Sequence, residues 1–215
     1  MRIPGTTTER VEAFSDGVIA IAITLLVLTL KVPKVHQGNL LDALLDDWPS
    51  YVAFIVSFIV IGILWVSHHS IFERIATVDR PLLFLNLLLL MGVAFLPFPT
   101  SLLARYVADG GSNAHIAAAM YSTTMVLIGL VFLAMWAQLA RRPELLIPGI
   151  PHERIRTAMR RSWVGPIVYA LTIGLAFISA AACFVVYAGV AIYFARGPSS
   201  RAAVPDAPAS ASNAD

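Results

Sequence analysis

From Trp163 to Phe194 the chain runs 32 residues without a charge. As one helix that stretch would measure about 48 Å, against a bilayer core of roughly 30 Å. It is too long for one upright crossing. A tight hairpin of two helices, turning near Ser179 to Cys183, fits it better; one long, strongly tilted helix is the alternative. Four further apolar stretches precede it: Glu9 to Lys31, Tyr51 to His69, Leu82 to Leu103 and His115 to Leu139. Together they predict an all-α polytopic membrane protein with six transmembrane helices.

Composition supports that class. Of 215 residues, 58% are hydrophobic and 13% charged, with a mean hydropathy of +0.78. Soluble domains carry roughly 25% charged residues, and one of this size could not hide so much apolar surface. The basic residues stand at helix ends rather than on one face, so nucleic acid is not an expected partner. The first 16 residues are polar and lack an apolar segment followed by a cleavage site, so no signal peptide is expected. Residues 1–196 form one membrane domain without internal repeats. Residues 197–215 are rich in Pro, Ser and Ala and cannot bury a core, which predicts a disordered tail. The single Cys183 lies in an apolar run and is expected to pack there.

Charge asymmetry sets the orientation. With six crossings and both termini on one side, 12 of the 15 basic residues share that side, and Lys31, Lys34 and Arg105 lie opposite. The positive-inside rule makes the richer side cytoplasmic. The predicted location is the cell membrane, multi-pass. The outer loop from Val32 to Pro49 carries Asp42, Asp46 and Asp47, either as an acidic mouth that concentrates cations or as an ordinary solvated loop.

The first helix carries the most chemistry. Its apolar run, Gly17 to Leu30, has 14 residues and covers about 21 Å. The upstream turns with Arg10, Glu12, Ser15 and Asp16 must therefore share the crossing. Ionisable groups at that depth are costly and point to function. At about 100° per residue, Phe14, Leu25 and Leu28 fall within about 40° of Ile21, with Thr24 beside them. Ser15 and Asp16 fall at least about 120° away. If the aliphatic stripe lines an axis, Asp16 points back into the protein and needs a buried partner. Alternatively Ser15 and Asp16 simply cap the helix start.

The second helix ends in Trp65, His68 and His69, with Trp65 and His69 on one face. Metal binding, proton handling and hydrogen-bond donation to a buried carboxylate compete as readings. Adjacent histidines on a helix diverge, which disfavours a metal; donation from Trp65 and a histidine to Asp16 is favoured. Asp79 either caps the third helix, with Pro81 in its first turn, or joins this cluster. Pro97 and Pro99 should break the third helix near the outer face.

These residues resemble the prokaryotic TMEM175-type potassium channels. The likeness rests on Arg10-x-x-x-Phe14-Ser15-Asp16, on the run Gly17 to Leu28, on Trp65-x-x-His68-His69, on Asp79, on Asn86 to Leu90 and on Leu96 to Thr100. It is strong over about the first hundred residues. The resemblance implies a homotetramer in the lipid bilayer, with the first helix of each subunit lining a central pore. It makes Ile21, Leu25 and Leu28 the constriction, with Thr24 next to the first ring. It joins Arg10, Phe14, Ser15 and Asp16 with Trp65, His68, His69 and Asp79 in a structural network that fixes the pore helix. Potassium would be the permeant ion, modestly preferred over sodium, with no cofactor and no carbonyl-lined filter. Isoleucine stands in the first ring where some bacterial relatives have leucine. A hydrophobic constriction gates by dewetting and favours the more easily dehydrated ion. The rival function is a secondary transporter of a cation or small solute, although its usual repeats and mid-membrane helix breaks are missing. No nucleophile or metal set suggests an enzyme.

Overall fold

The computed structural model describes residues 7–33, 39–108 and 110–195, all helices and connections. The expected tail, and with it Lys34 and Arg196, lies outside the described residues. Helix α1 (Thr8–Leu25) is capped by Thr7, whose side chain accepts from the Arg10 backbone N–H, and it tightens into a 3-10 turn over Leu26–Thr29. A short α2 (Leu40–Asp46) follows, capped by Asn39. Then come α3 (Trp48–Phe72), α4 (Arg80–Phe95), α5 (Pro97–Tyr106) and α6 (Gly111–Arg141). The described residues close with α7 (His152–Ser162), α8 (Val164–Ala176) and α9 (Ala180–Ala195). Four continuous segments are long and apolar enough to cross a membrane: Thr8–Thr29, Trp48–Phe72, Arg80–Tyr106 and Gly111–Arg141.

Sequence and structure differ in several places. The capping role proposed for Ser15 and Asp16 fails, because α1 begins at Thr8 and Thr7 is its cap. The uncharged C-terminal run does break into two helices, α8 and α9, which pack together. Their turn lies at Phe177–Ser179, slightly before the expected place. Ser179 ends it by accepting from the Ala182 N–H at 3.2 Å, and Cys183 lies one turn inside α9. Helices α2 and α7 were not expected. Each is too short, and α7 too basic, to stand out as an apolar segment.

Prolines and small residues set the packing. Leu96 separates α4 from α5 because Pro97 and Pro99 have no N–H to continue the ladder. Helix α6 runs through the centre, against α4, α5, α7, α8 and α9. It approaches two neighbours at glycines. A Cβ on Gly129 would stand 2.6 Å from Pro166 Cγ, and one on Gly92 would stand 2.7 Å from Ile128 Cγ1. Buried hydroxyls join the helices, as expected where apolar contact with lipid and with protein differ little. Thr100 donates to Ser57 at 2.8 Å, and Ser57 donates to the Tyr121 hydroxyl at 3.3 Å. Ser122 meets both Thr172 (2.9 Å) and the Tyr187 hydroxyl (2.7 Å).

One end of the bundle is closed by loops. Ile75 pairs with Leu146, the Ala76 N–H donates to Leu145 O at 2.8 Å, and the Ile147 N–H donates to Arg74 O at 3.0 Å. The Thr8 hydroxyl joins them by donating to Ala76 O at 3.2 Å. Arg161 lies over the rings of Tyr193 and Phe194, so the end of α9 returns to the end where α8 begins. This is the basic face of the molecule.

Candidate functional site

Helix α1 has two unlike sides. Val11, Ser15, Ile19, Ala22 and Leu26 recur at helical spacing and are buried against the subunit's own helices. On the other side Ile21 is 61% exposed, Leu25 43% and Leu28 72%. Phe14 and Thr24 are exposed there too. Phe14 thus stands on the bare side, apart from the hydrogen-bonded residues with which the resemblance grouped it. The Thr24 hydroxyl donates to Ile21 O at 2.8 Å and leaves its lone pairs outward. An uncovered stripe of large aliphatic residues on a helix whose other side is firmly packed faces lipid, a neighbouring subunit or a lumen.

The buried side is tied down by a chain of polar groups. Ser15 has one proton, which it gives to Val11 O at 2.8 Å. Its lone pairs therefore accept from Asn86 Nδ2 at 2.9 Å. That fixes the Asn86 amide, and its Oδ1 faces His68 Nε2 at 2.9 Å. His68 must donate from Nε2, and its Nδ1 has no partner among the described residues. Ser15, Asn86 and His68 are all buried, so this chain links α1, α4 and α3 away from water. The His68 ring also stacks on Phe72, 4.3 Å between centroids.

A second set lies closer to the surface. Trp65 Nε1 donates to Asp16 Oδ1 at 2.9 Å. His69 does not share that carboxylate: its Nδ1 meets Glu12 Oε1 at 2.8 Å, and its Nε2 lies 3.3 Å from Glu73 Oε1. A neutral imidazole satisfies one of these carboxylates; an imidazolium satisfies both. The rings of Trp65 and His69 stack, 5.9 Å apart and 14° from parallel. Asp16 and Glu12 are one turn apart on α1, as are Trp65 and His69 on the antiparallel α3. The two pairs therefore meet as successive rungs. Glu12 and Asn86 received no role from the sequence. The matching i,i+4 spacing on two antiparallel helices was the signal for Glu12.

Arg10 is exposed in the first turn of α1. Asp79 stands outside both sets. Its Oδ1 accepts from the Leu82 N–H at 3.0 Å, capping α4, and its Oδ2 accepts from Gln138 Nε2 at 2.7 Å. It thus joins the start of α4 to the end of α6. Among the described residues no group of three His, Cys, Asp or Glu side chains converges as a metal site.

An all-helical membrane protein with a first helix bound on one side and bare on the other defines the class. Comparison with known proteins narrows it. The family model of the endosomal/lysosomal potassium channel TMEM175 matches residues 10–97, which hold both sets of polar contacts between α1, α3 and α4. A potassium channel of Streptomyces collinus (strain DSM 40733 / Tue 365) is 50% identical over 186 residues, covering 86% of this chain and 90% of its own. A potassium channel of Chamaesiphon minutus is 43% identical over 195 residues, covering 87% and 93%. The crystal structure of a lysosomal potassium-selective channel TMEM175 homolog from Chamaesiphon minutus matches with a TM-score of 0.78 at 41% identity, over 87% of this chain and 96% of that one. The chain belongs to the TMEM175 family.

Proposed function

We propose that this protein is a potassium-permeable channel whose constriction is the bare stripe of α1. The observation that carries this reading is the stripe itself. Ile21, Leu25 and Leu28 are exposed along one side of α1, while Ser15 and Asp16 hold the opposite side. Copies of the chain arranged around an axis would bring the stripes together as stacked aliphatic rings. A homotetramer suits the family. Six crossings per subunit follow if the α8–α9 hairpin completes a full return, and the Arg161 contact with the end of α9 supports that return. The arginine-rich face would then be cytoplasmic, with both termini on that side of the cell membrane.

In such a pore no carbonyl cage replaces the hydration shell. Ions pass when the aliphatic rings part enough to admit water, and the ion that loses water more cheaply is preferred. Potassium passes ahead of sodium by a modest factor. Thr24, with outward lone pairs, offers a polar contact beside the first ring. The polar contacts of Ser15, Asp16 and Glu12 with α3 and α4 act as a brace that holds the stripe in register.

The test is ion flux into liposomes containing the purified protein, under potassium and then sodium gradients. The expected result is non-saturating flux, faster for potassium. Ile21→Ser and Leu28→Ser should raise conductance and weaken ion preference by wetting the constriction. Single-channel currents unchanged in both variants would remove the stripe from the pore. Saturable, carrier-like turnover in the wild type would mark a transporter.

A further inference from the structure

Helix α7 is chemically unlike the spanning helices around it. It carries Arg154, Arg156, Arg160 and Arg161 against a single acid, Glu153. Its buried residue is Ile155, and the helix rests on α6 and α8. At about 100° per residue, Ala158, Met159 and Ser162 share the Ile155 side, while arginines fall on both flanks. Arg154, Arg156 and Arg160 are exposed and form no ion pair or hydrogen bond among the described residues. Three cations in a little over two turns are therefore left uncompensated by the protein.

Their position is fixed. Helix α7 passes into α8 with only Trp163 between them. The guanidinium of Arg161 lies 5.7 Å from the Tyr193 ring centre and 5.9 Å from that of Phe194, joining α7 to the last turn of α9. Trp163 and Tyr193 are each 47% exposed, and such half-exposed amphipathic rings settle at headgroup depth. The helix therefore lies at the membrane boundary. Whatever neutralises its arginines must be available in that plane.

We propose that α7 is a binding surface for anionic phospholipid headgroups, with Arg154, Arg156 and Arg160 contacting the phosphates. The guanidinium fork matches phosphate oxygens and is less strongly hydrated than an ammonium, which favours pairing in a partly dry interface. A basic amphipathic helix beside a membrane span has the charge pattern of an anionic-lipid contact. A soluble acidic protein or a nucleic acid would have to displace those lipids from a short helix lying along the bilayer.

The test reads lipid contact directly, without ion flux, so its failure is separate from failure of the channel reading. The full-length protein is placed in phosphatidylcholine vesicles containing traces of spin-labelled phosphatidylglycerol or spin-labelled phosphatidylcholine. The protein-restricted fraction of each label is then measured by electron paramagnetic resonance. The wild type should prefer the phosphatidylglycerol label, and added salt should reduce the preference. Each arginine changed to glutamine should lower the preference by up to about fivefold, with R154Q/R156Q/R160Q abolishing most of it. R105Q, at the end of α5 and away from α7, should leave it unchanged. Equal restriction of both labels by the wild type would overturn the proposal. So would a preference that survives the triple substitution or falls equally with R105Q.

Discussion

Asn86→Leu tests the brace at its most buried point. Leucine keeps the branching and number of heavy atoms, though its methyls are bulkier, and removes two contacts between helices, Asn86 Nδ2 to Ser15 Oγ and His68 Nε2 to Asn86 Oδ1, each 2.9 Å. The two losses are unequal. Ser15 still gives its proton to Val11 O and is left with unused lone pairs only. His68 is left with a buried N–H and no acceptor, in addition to its unpartnered Nδ1. Hydrogen bonds between membrane helices average about 0.6 kcal/mol, which sets a floor of roughly 1 kcal/mol for the pair. An orphaned buried donor costs about 1 to 3 kcal/mol. The variant should therefore lose about 2 kcal/mol. Replacing both partners by apolar groups can be nearly neutral, so Asn86→Leu with His68→Leu should cost less than the two single changes added together. Unfolding in mixed micelles by denaturing detergent, run as a double-mutant cycle, gives the coupling energy. Strict additivity, or a stability for Asn86→Leu equal to wild type, would refute the reasoning.

Other expectations rest on separate contacts. Gly129→Ala should destabilise by about 1 to 3 kcal/mol through overpacking, because the rigid ring of Pro166 cannot move out of the new methyl's way. Gly92→Ala should destabilise by a similar amount, since the new methyl meets Cγ1 of the buried Ile128, a β-branched side chain held in one rotamer on a helix; thermal aggregation of the two variants in detergent checks both. Asp79→Ala should lose about 1 to 2 kcal/mol, mainly from the cap. Asp79→Asn should recover the cap through Oδ1 and keep a neutral contact from Nδ2 to a flipped Gln138 amide, so the same unfolding assay should show it close to wild type.

The two sides of α1 could be read in the sequence because helical periodicity is rigid. Once Ile21, Leu25 and Leu28 shared a stripe, Ser15 and Asp16 had to point elsewhere. Asp79 as a cap and the break before Pro97 followed from local chemistry in the same way. Partner choice across helices was harder, since it depends on register. Asp16 was matched to Trp65, but the donation expected from a histidine to Asp16 went to Glu12 instead. One helical turn decides between those carboxylates, and it becomes visible only when α1 and α3 are set antiparallel. Asn86 looked like one more residue in a leucine-rich helix. Its role depends on α4 passing between Ser15 and His68, which local sequence does not encode. Helix α7 escaped notice because Ile155, Ala158 and Met159 make too small an apolar face to stand out among arginines.

The 3-10 turn that ends α1 has a mechanical consequence. In an α-helix Leu28 would lie about 60° around the axis from Leu25. In a 3-10 helix, residues three apart eclipse one another, and here the tightened turn is Leu26–Thr29. Leu25 and Leu28 thus lie nearly in one line, and relaxing that turn to α geometry would rotate Leu28 by about 60° across the stripe, from beneath Leu25 to beneath Ile21, without changing any residue. In the proposed pore, the winding of a single turn would then decide whether Leu28 stacks on Leu25 or on Ile21, with side-chain identity unchanged.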